Sequence, residues 1–204
     1  MNHTFKTALL VSLLIMSGCQ SISKEDYDKA RTEAAMASQK AADLSKENAM
    51  LKEQQLTYEI LTTSLKSEID DQQVLIEKLE NKTVKITLQN AVLFSSGQFE
   101  LNKNGKQVLK KLLPTLQEQP DGHIVRVIGH TDALPVHAPR QEYVDNWDLS
   151  ARRAANVVRY FVWALQLPAN IFRVEGHAFV EPVDTNETPE GRLKNRRIEI
   201  VIEQ

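Results

Sequence analysis

Two charged residues stand where a predicted strand ends and where the next predicted helix begins. Gly129-His130-Thr131-Asp132 places Asp132 after the strand, and Leu149-Ser150-Ala151-Arg152-Arg153-Ala154 places Arg153 in the first turns of the helix. An aspartate accepts hydrogen bonds from an ammonium group, and an arginine binds a carboxylate through two parallel N–H bonds. Helix N-terminal amides add donors for an anion. The pair therefore suits a ligand that carries both an ammonium and a carboxylate.

Each of the two residues also has a purely structural explanation. Asp132 can close an Asx turn or cap a helix, and Arg153, which follows Arg152, can be a solvated side chain on the helix surface. The combination therefore carries more weight than either residue alone. We expect both side chains to be largely exposed, so that alanine at either position removes binding and leaves the fold intact.

The C-terminal part of the chain alternates between strand and helix patterns. Alternating polar and apolar residues predict four strands, at 83–88, 124–128, 171–175 and 197–202. Apolar residues at helical spacing predict one helix at 105–117, which Pro114 interrupts, and a second helix that Asp145 or Asp148 caps. The order β-α-β-α-β-β predicts an α+β domain whose helices pack on one face of a small mixed sheet.

The N-terminal part has no proline or glycine between Cys19 and Ser96, which predicts a long helix. A seven-residue period supports this helix and predicts a coiled coil. Its d positions are Ala30, Ala37, Leu44, Leu51, Tyr58, Leu65, Gln72 and Leu79. Its a positions are Tyr27, Ala34, Ala41, Asn48, Gln55, Thr62, Ile69 and Ile76. Several of these residues are polar, so a single amphipathic helix or a partly disordered tether stays open. A helix of about 58 residues spans about 87 Å, which suits a spacer.

The first residues have the pattern of an export signal. A short apolar run at 8–16 is about half the length that a membrane-spanning helix needs, and it is followed by small residues. The chain has one cysteine, Cys19. Met16-Ser17-Gly18-Cys19 resembles a bacterial lipobox, in which the cysteine becomes the first mature residue and carries acyl chains such as palmitate. Gln20, rather than Asp, favours the outer membrane.

The motifs together resemble the OmpA-like peptidoglycan-binding domain, the family that includes the C-terminal domain of OmpA, Pal and MotB. The resemblance covers about residues 83–204. Besides the two motifs above, it rests on Val92-Leu93-Phe94-Ser95-Ser96-Gly97, Gly176-His177-Ala178 and Gly191-Arg192-Leu193-Lys194-Asn195-Arg196-Arg197-Ile198-Glu199. The segment Ala133–Asp145 is longer than in Pal-type domains and shorter than in stator-type domains, which leaves the subfamily open.

The resemblance implies roles for five residues. Asp132 and Arg153 are expected to bind the amine and the carboxylate of diaminopimelate in peptidoglycan. Leu149, Asn195 and Arg196 are expected to line or support the same pocket.

The remaining features of the sequence argue against other classes of function. A net charge of −2 provides no strong basic field, so we expect no nucleic-acid partner. His123, His130, His137 and His177 form no HxH or HExxH motif, so we expect no metal site and no cofactor. Ser150 lies in no Gly-x-Ser-x-Gly elbow, so we expect no enzyme activity.

The sequence thus predicts an exported lipoprotein in three parts. These parts are a signal peptide at 1–18, a lipid-anchored helical or coiled-coil spacer at 19–82 and an OmpA-like domain at 83–204. We expect it to lie in the outer membrane, to face the periplasm, to bind peptidoglycan noncovalently and to tether the membrane to the wall. The coiled coil predicts a homo-oligomer. The alternative is an accessory component of an envelope machine, such as a flagellar motor or a secretion system, that recruits a protein partner through the helix.

Overall fold

The computed structural model describes residues 23–119, 122–136 and 143–203. The helices are α1 (Lys24–Ser64), α2 (Lys66–Asp70), α3 (Asn90–Leu93), α4 (Lys103–Lys110), α5 (Leu113–Gln117), α6 (Asn146–Arg159) and α7 (Pro189–Asn195). The strands are β1 (Val74–Lys78), β2 (Val84–Gln89), β3 (Ile124–Gly129), β4 (Phe172–Gly176) and β5 (Arg197–Glu203). The predicted signal peptide and Cys19 lie outside the described residues. None of the described helices is both long enough and apolar enough to cross a membrane.

The chain divides into two units, Met1–Glu47 and Asn48–Gln204. In the first unit, α1 begins after Ser23, whose hydroxyl accepts a hydrogen bond from the Asp26 amide at 3.0 Å and caps the helix. Residues 23–47 are exposed in the single chain. Among them are two predicted coiled-coil residues, Tyr27 and Leu44, whose exposed fractions are 59% and 50%.

The second unit is built on a mixed five-stranded sheet with the strand order β1-β2-β5-β3-β4. Strands β3 and β4 are parallel, and all other neighbours are antiparallel. Parallel neighbours need a crossover connection, which α6 provides by packing on both strands. The α+β fold and the mixed sheet predicted from the sequence are confirmed.

The prediction that one helix continues to about Leu79 is wrong for its last part. Helix α1 ends at Ser64, α2 ends at Asp70, and β1 pairs antiparallel with β2. Gln72, between α2 and β1, has a positive φ of 57°, which stops a right-handed helix. Val74 and Ile76 are both buried, so their two-residue period belongs to a strand, and of the two only Ile76 is also a heptad position.

The end of α1 is part of the core of the second unit. Leu61 and Leu65 are fully buried in the core cluster. The Gln54 amide donates hydrogen bonds to the carbonyl oxygens of Leu79 and Thr83, at 2.9 and 2.8 Å. This helix segment therefore holds the connection between β1 and β2.

Candidate functional site

The first turns of α6 lie directly against the ends of β3 and β4. A Cβ atom on Gly129 would overlap the carbonyl oxygen of Ser150, and one on Gly176 would lie 2.7 Å from the Ala151 nitrogen. The sequence therefore permits a close helix–strand contact only because both strand ends are glycine. This contact fixes the position of Arg153, one turn further along α6.

Ser150 acts as a structural link in this contact. Its hydroxyl donates a hydrogen bond to the Trp147 carbonyl oxygen at 3.0 Å and accepts one from the Ala178 amide at 3.1 Å. The residue is fully buried. A hydroxyl held in this way is poorly placed to act as a nucleophile.

Arg153 is buried, with an exposed fraction of 6%, so the expectation that it is largely exposed is wrong. Its Nε donates a hydrogen bond to the Gln98 carbonyl oxygen at 3.0 Å, and its guanidinium carbon lies 5.3 Å from the centre of the Phe94 ring. No described carboxylate forms an ion pair with it. Burial lowers the pKa of Arg153 to about 10, so the side chain stays charged at neutral pH at a cost in free energy.

Asp132 is also buried, with an exposed fraction of 8%, which again contradicts the expected exposure. Its Oδ2 lies 2.5 Å from Nη1 of Arg196. Its Oδ1 accepts a hydrogen bond from the Leu134 amide at 3.0 Å, which is the Asx-turn geometry that the sequence left open. Its ion-pair partner Arg196 is 64 residues away in the sequence, so local sequence does not reveal this packing.

Four of the predicted site residues line one cavity of about 230 Å³; they are Asp132, Leu149, Arg153 and Arg196. A second cavity of about 520 Å³ is also lined by Arg153 and Arg196, together with Asn90, Ser95 and Asn102. The two arginines therefore contribute to both cavities. The smaller cavity joins an acidic and a basic group, as the expected zwitterionic ligand requires.

Asn195 supports this site without lining either cavity. It is fully buried, and its Oδ1 accepts hydrogen bonds from the Val183 and Asp184 amides at 2.9 and 3.0 Å. Its Nδ2 donates to Oδ1 of Asn186 at 2.9 Å, and the same oxygen accepts from the Ala133 amide at 3.2 Å. Asn195 thus holds the backbone next to Asp132 through Asn186.

Sequence reasoning missed several residues that line the smaller cavity, among them Tyr143 and Asn146. Asn146 donates a hydrogen bond to the Leu134 carbonyl oxygen at 3.0 Å, and the Tyr143 hydroxyl donates to the Gly97 carbonyl oxygen at 3.1 Å. Asn146 lies three residues before Leu149, at the start of α6, and this position next to the motif was a usable signal. Residues 137–142 of the long connecting segment lie outside the described residues.

The structure also assembles a cluster that the histidine spacing did not predict. Gly129 and Gly176 are paired across the parallel strands β3 and β4, so the residues that follow them, His130 and His177, lie side by side. Ligand atoms of His130, His177 and Glu181 all lie within 4.8 Å of one another. Only strand pairing, and no local motif, could have shown this proximity.

Comparison with known proteins identifies relatives of this site and fold. The OmpA family profile matches residues 93–196. Motility protein B of Bacillus subtilis is 33% identical over 125 residues, which are 61% of this chain and 47% of that protein. Outer-membrane lipoprotein YfiB of Pseudomonas aeruginosa is 33% identical over 125 residues, which are 61% of this chain and 70% of that protein. The chain spans about half the length of the first curated relatives that it matches.

A solved structure supports the same relationship. The cell wall anchor of the T6SS from Pseudomonas aeruginosa superimposes with a TM-score of 0.62 and is 31% identical. The match covers 70% of this chain and 96% of that chain. The resemblance stated from the sequence motifs is therefore confirmed.

Proposed function

The chain belongs to the OmpA family, and from this premise we propose that its C-terminal domain binds peptidoglycan noncovalently. The recognised group is diaminopimelate of the stem peptide, with its ammonium at Asp132 and its carboxylate at Arg153. The function is attachment to the wall and involves no catalysis. The name of one relative with the same fold, a cell wall anchor, agrees with this proposal.

The observation that carries the proposal is that the charged Arg153 side chain is buried without a carboxylate partner among the described residues. A buried charge is normally paired, because transfer of an unpaired ion out of water is unfavourable. Arg153 has an exposed fraction of 6%, lines the cavity and has no carboxylate partner among the described residues. A ligand carboxylate in the cavity provides the missing counter-ion and can accept two parallel N–H bonds.

The acidic side of the cavity supports the same ligand class. Asp132 lines the cavity next to Arg196, which is its ion-pair partner. A carboxylate has two oxygens and about four acceptor positions, so Asp132 can accept from a ligand ammonium while it keeps a bond to Arg196. Leu149 supplies an apolar wall for the hydrocarbon part of the ligand.

We further propose that Cys19 carries the lipid that anchors the protein in the outer membrane on its periplasmic side. The proposed division into signal peptide, spacer and domain follows from this anchor. Two attachment points, one in the membrane and one in the wall, raise the effective concentration of each contact even when each is weak. Cys19→Ser should release the protein from the membrane fraction, and continued fractionation with lipid would contradict the anchor.

A wall-anchoring component of an envelope machine is a second candidate function. The observation in its favour is the exposed apolar side chains of the first unit, including Tyr27, Met36 and Leu44. These residues would be covered either by a second copy of the helix or by a protein partner. Replacing all three with serine should remove homo-oligomers in sedimentation velocity if a second copy covers them. If a partner covers them, the substitutions should remove co-purification of that partner and leave wall binding unchanged.

The test of wall binding is sedimentation of the full chain, purified in detergent, with peptidoglycan that contains diaminopimelate. Arg153→Gln should reduce the pelleted fraction by about tenfold or more, as loss of a charge-assisted bond predicts. Asp132→Asn should reduce it by a smaller factor, because the Asp132 carboxylate is shared with Arg196. Arg152→Gln and Asp148→Asn are matched controls, because these two residues pair with each other outside the cavity at 2.6 Å. The controls should pellet like the wild type.

Thermal unfolding of each variant separates lost binding from lost folding. Free diaminopimelate should release the wild type from the wall, whereas lysine, which lacks the second carboxylate, should release much less. Equal pelleting of both site variants and the wild type would refute the assigned site. Failure of the folded wild type to pellet would refute the function.

A further inference from the structure

The cluster of His130, His177 and Glu181 lies on the side of the sheet away from α6. Gly129 faces α6, and side chains alternate between the two faces along a strand, so His130 points to the opposite face. There His130 and His177 meet edge to face, with their ring centres 5.4 Å apart. The cluster is thus separate from the cavity that Asp132 and Arg153 line.

Each ring nitrogen of His177 faces a carboxylate. Its Nδ1 lies 3.0 Å from Oε2 of Glu181, and its Nε2 lies 3.0 Å from Oε2 of Glu175. A neutral imidazole donates through only one nitrogen, so one of the two carboxylates faces a lone pair. A proton on Nδ1 or a metal ion between Nδ1 and Glu181 satisfies both atoms, and in the second case Nε2–H still donates to Glu175.

His130 supplies two buried ring nitrogens, Nδ1 and Nε2, that could each act as a metal ligand. It has an exposed fraction of 1%, and neither ring nitrogen has a hydrogen-bond partner. A buried polar side chain without a partner is uncommon, since the lost hydration is not replaced. Each ring nitrogen of His130 is therefore available to a ligand at this site.

The surrounding charges favour a cation. Three carboxylates lie next to the two rings and two guanidinium groups pair with these carboxylates, which leaves one negative charge. The carboxylates are those of Glu175, Glu181 and Glu199, and the guanidinium groups are those of Arg126 and Arg197. Arg126 binds both oxygens of Glu175 at 2.6 and 2.8 Å, so this carboxylate is held in place behind His177.

We propose that His130, His177 and Glu181 form a structural site for a divalent metal ion of the zinc class. Two imidazole nitrogens and one carboxylate oxygen are a ligand set that Zn²⁺ accepts, with water in the fourth position. Tetrahedral ligands of zinc lie about 3.4 Å apart, so side-chain shifts of about 1 Å from the present spacing complete the site. The bond from His177 to Glu175 is the outer contact that orients a metal-binding histidine.

Such an ion would connect three separate segments. His130 follows β3, His177 follows β4, and Glu181 lies in the segment that leads to Asn186. Asn186 in turn contacts the backbone next to Asp132. The metal would therefore stabilise the ends of two strands and the segment behind the proposed wall-binding cavity. The proposal does not depend on the wall ligand.

Calorimetric titration of the metal-free full chain in detergent with ZnCl₂ tests this site. We expect one equivalent of Zn²⁺ to bind per chain, and binding at least about tenfold weaker in His177→Gln and Glu181→Gln. These two positions are preferred because the side chains are 25% and 59% exposed, so the fold should survive their replacement. Glu190→Gln is the control and should bind like the wild type.

Substitution with Co²⁺ provides a second measurement. The wild type should show visible absorption of the intensity that tetrahedral coordination gives, and His177→Gln should lose it. Zn²⁺ should also raise the melting temperature of the wild type more than that of the two site variants. Absence of Zn²⁺ binding by the wild type, or equal binding by the wild type and the two site variants, would overturn the proposal.

Discussion

Replacing Arg153 with methionine should stabilise the ligand-free protein and abolish binding to the wall. Burial lowers the pKa of Arg153 to about 10, which corresponds to a destabilisation of about 3 kcal/mol for the charged form. The substitution also removes the hydrogen bond to Gln98 and the contact with the Phe94 ring, which together stabilise by about 2 kcal/mol. Methionine is unbranched and fills similar space. The expected net gain is about 1 kcal/mol, or about 2–4 °C in melting temperature.

The pH dependence of this difference has a definite sign. Arginine is charged below its pKa, and the folded state disfavours that charge. The destabilisation by Arg153 is therefore present at neutral pH and is relieved as the pH rises through about 10. The stability advantage of the methionine variant should shrink in the same range.

Urea denaturation of the full chain at pH 7 measures the effect. Arg152→Met is the matched control: its side chain is 46% exposed and pairs with Asp148, so its effect should stay within about 0.5 kcal/mol. Saturating diaminopimelate should stabilise the wild type and leave Arg153→Met unchanged. A loss of more than about 1 kcal/mol in Arg153→Met, with wall binding retained, would show that the guanidinium serves the fold and would refute this reasoning.

Two further substitutions test the packing around the site. Leu61→Ala should lower the free energy of unfolding by about 2–5 kcal/mol, because this side chain is fully buried, whereas Leu56→Ala, at a position 57% exposed, should change it by less than about 0.5 kcal/mol. If urea denaturation shows equally small losses of unfolding free energy for Leu61→Ala and Leu56→Ala, the end of α1 is not part of the core. Asn195→Ala should cost about 2–4 kcal/mol, since the Val183 and Asp184 amides lose their acceptor, and should also weaken wall pelleting. An unchanged free energy of unfolding in Asn195→Ala would contradict the inference that Asn195 holds the neighbouring backbone in place.

The sequence predicted the parts of the fold whose local pattern and tertiary environment agree. β2 has strict alternation and is buried on one face only, so its period of two residues is visible. Helix α6 begins as predicted, with the Asp145 carboxylate accepting a hydrogen bond from the Asp148 amide at 2.9 Å. The broken helix at Pro114 became α4 and α5, with the proline in the first turn of α5.

The errors arose where tertiary contacts decide. Ile76 of β1 continues the heptad series and also fits a strand, and its pairing with β2 shows that it belongs to the strand. The burial of Asp132 and Arg153 depends on Arg196 and Gln98, which are distant in the sequence. The meeting of His130 and His177 depends on the register of two parallel strands. Periodicity and short motifs contain none of this information.

The two ends of the proposed ligand meet side chains in different states. Asp132 already has Arg196 at 2.5 Å and the Leu134 amide at 3.0 Å, so its carboxylate is satisfied before any ligand binds. Arg153 is charged, buried and without a described ion-pair partner. A ligand ammonium must therefore share Asp132 with Arg196 and gains little net free energy. A ligand carboxylate instead removes the destabilisation of about 3 kcal/mol at Arg153. Under the proposed function, the ligand carboxylate should supply most of the affinity. The ligand ammonium should supply specificity, because among ligands that carry a carboxylate only those with a correctly placed ammonium donate to Asp132.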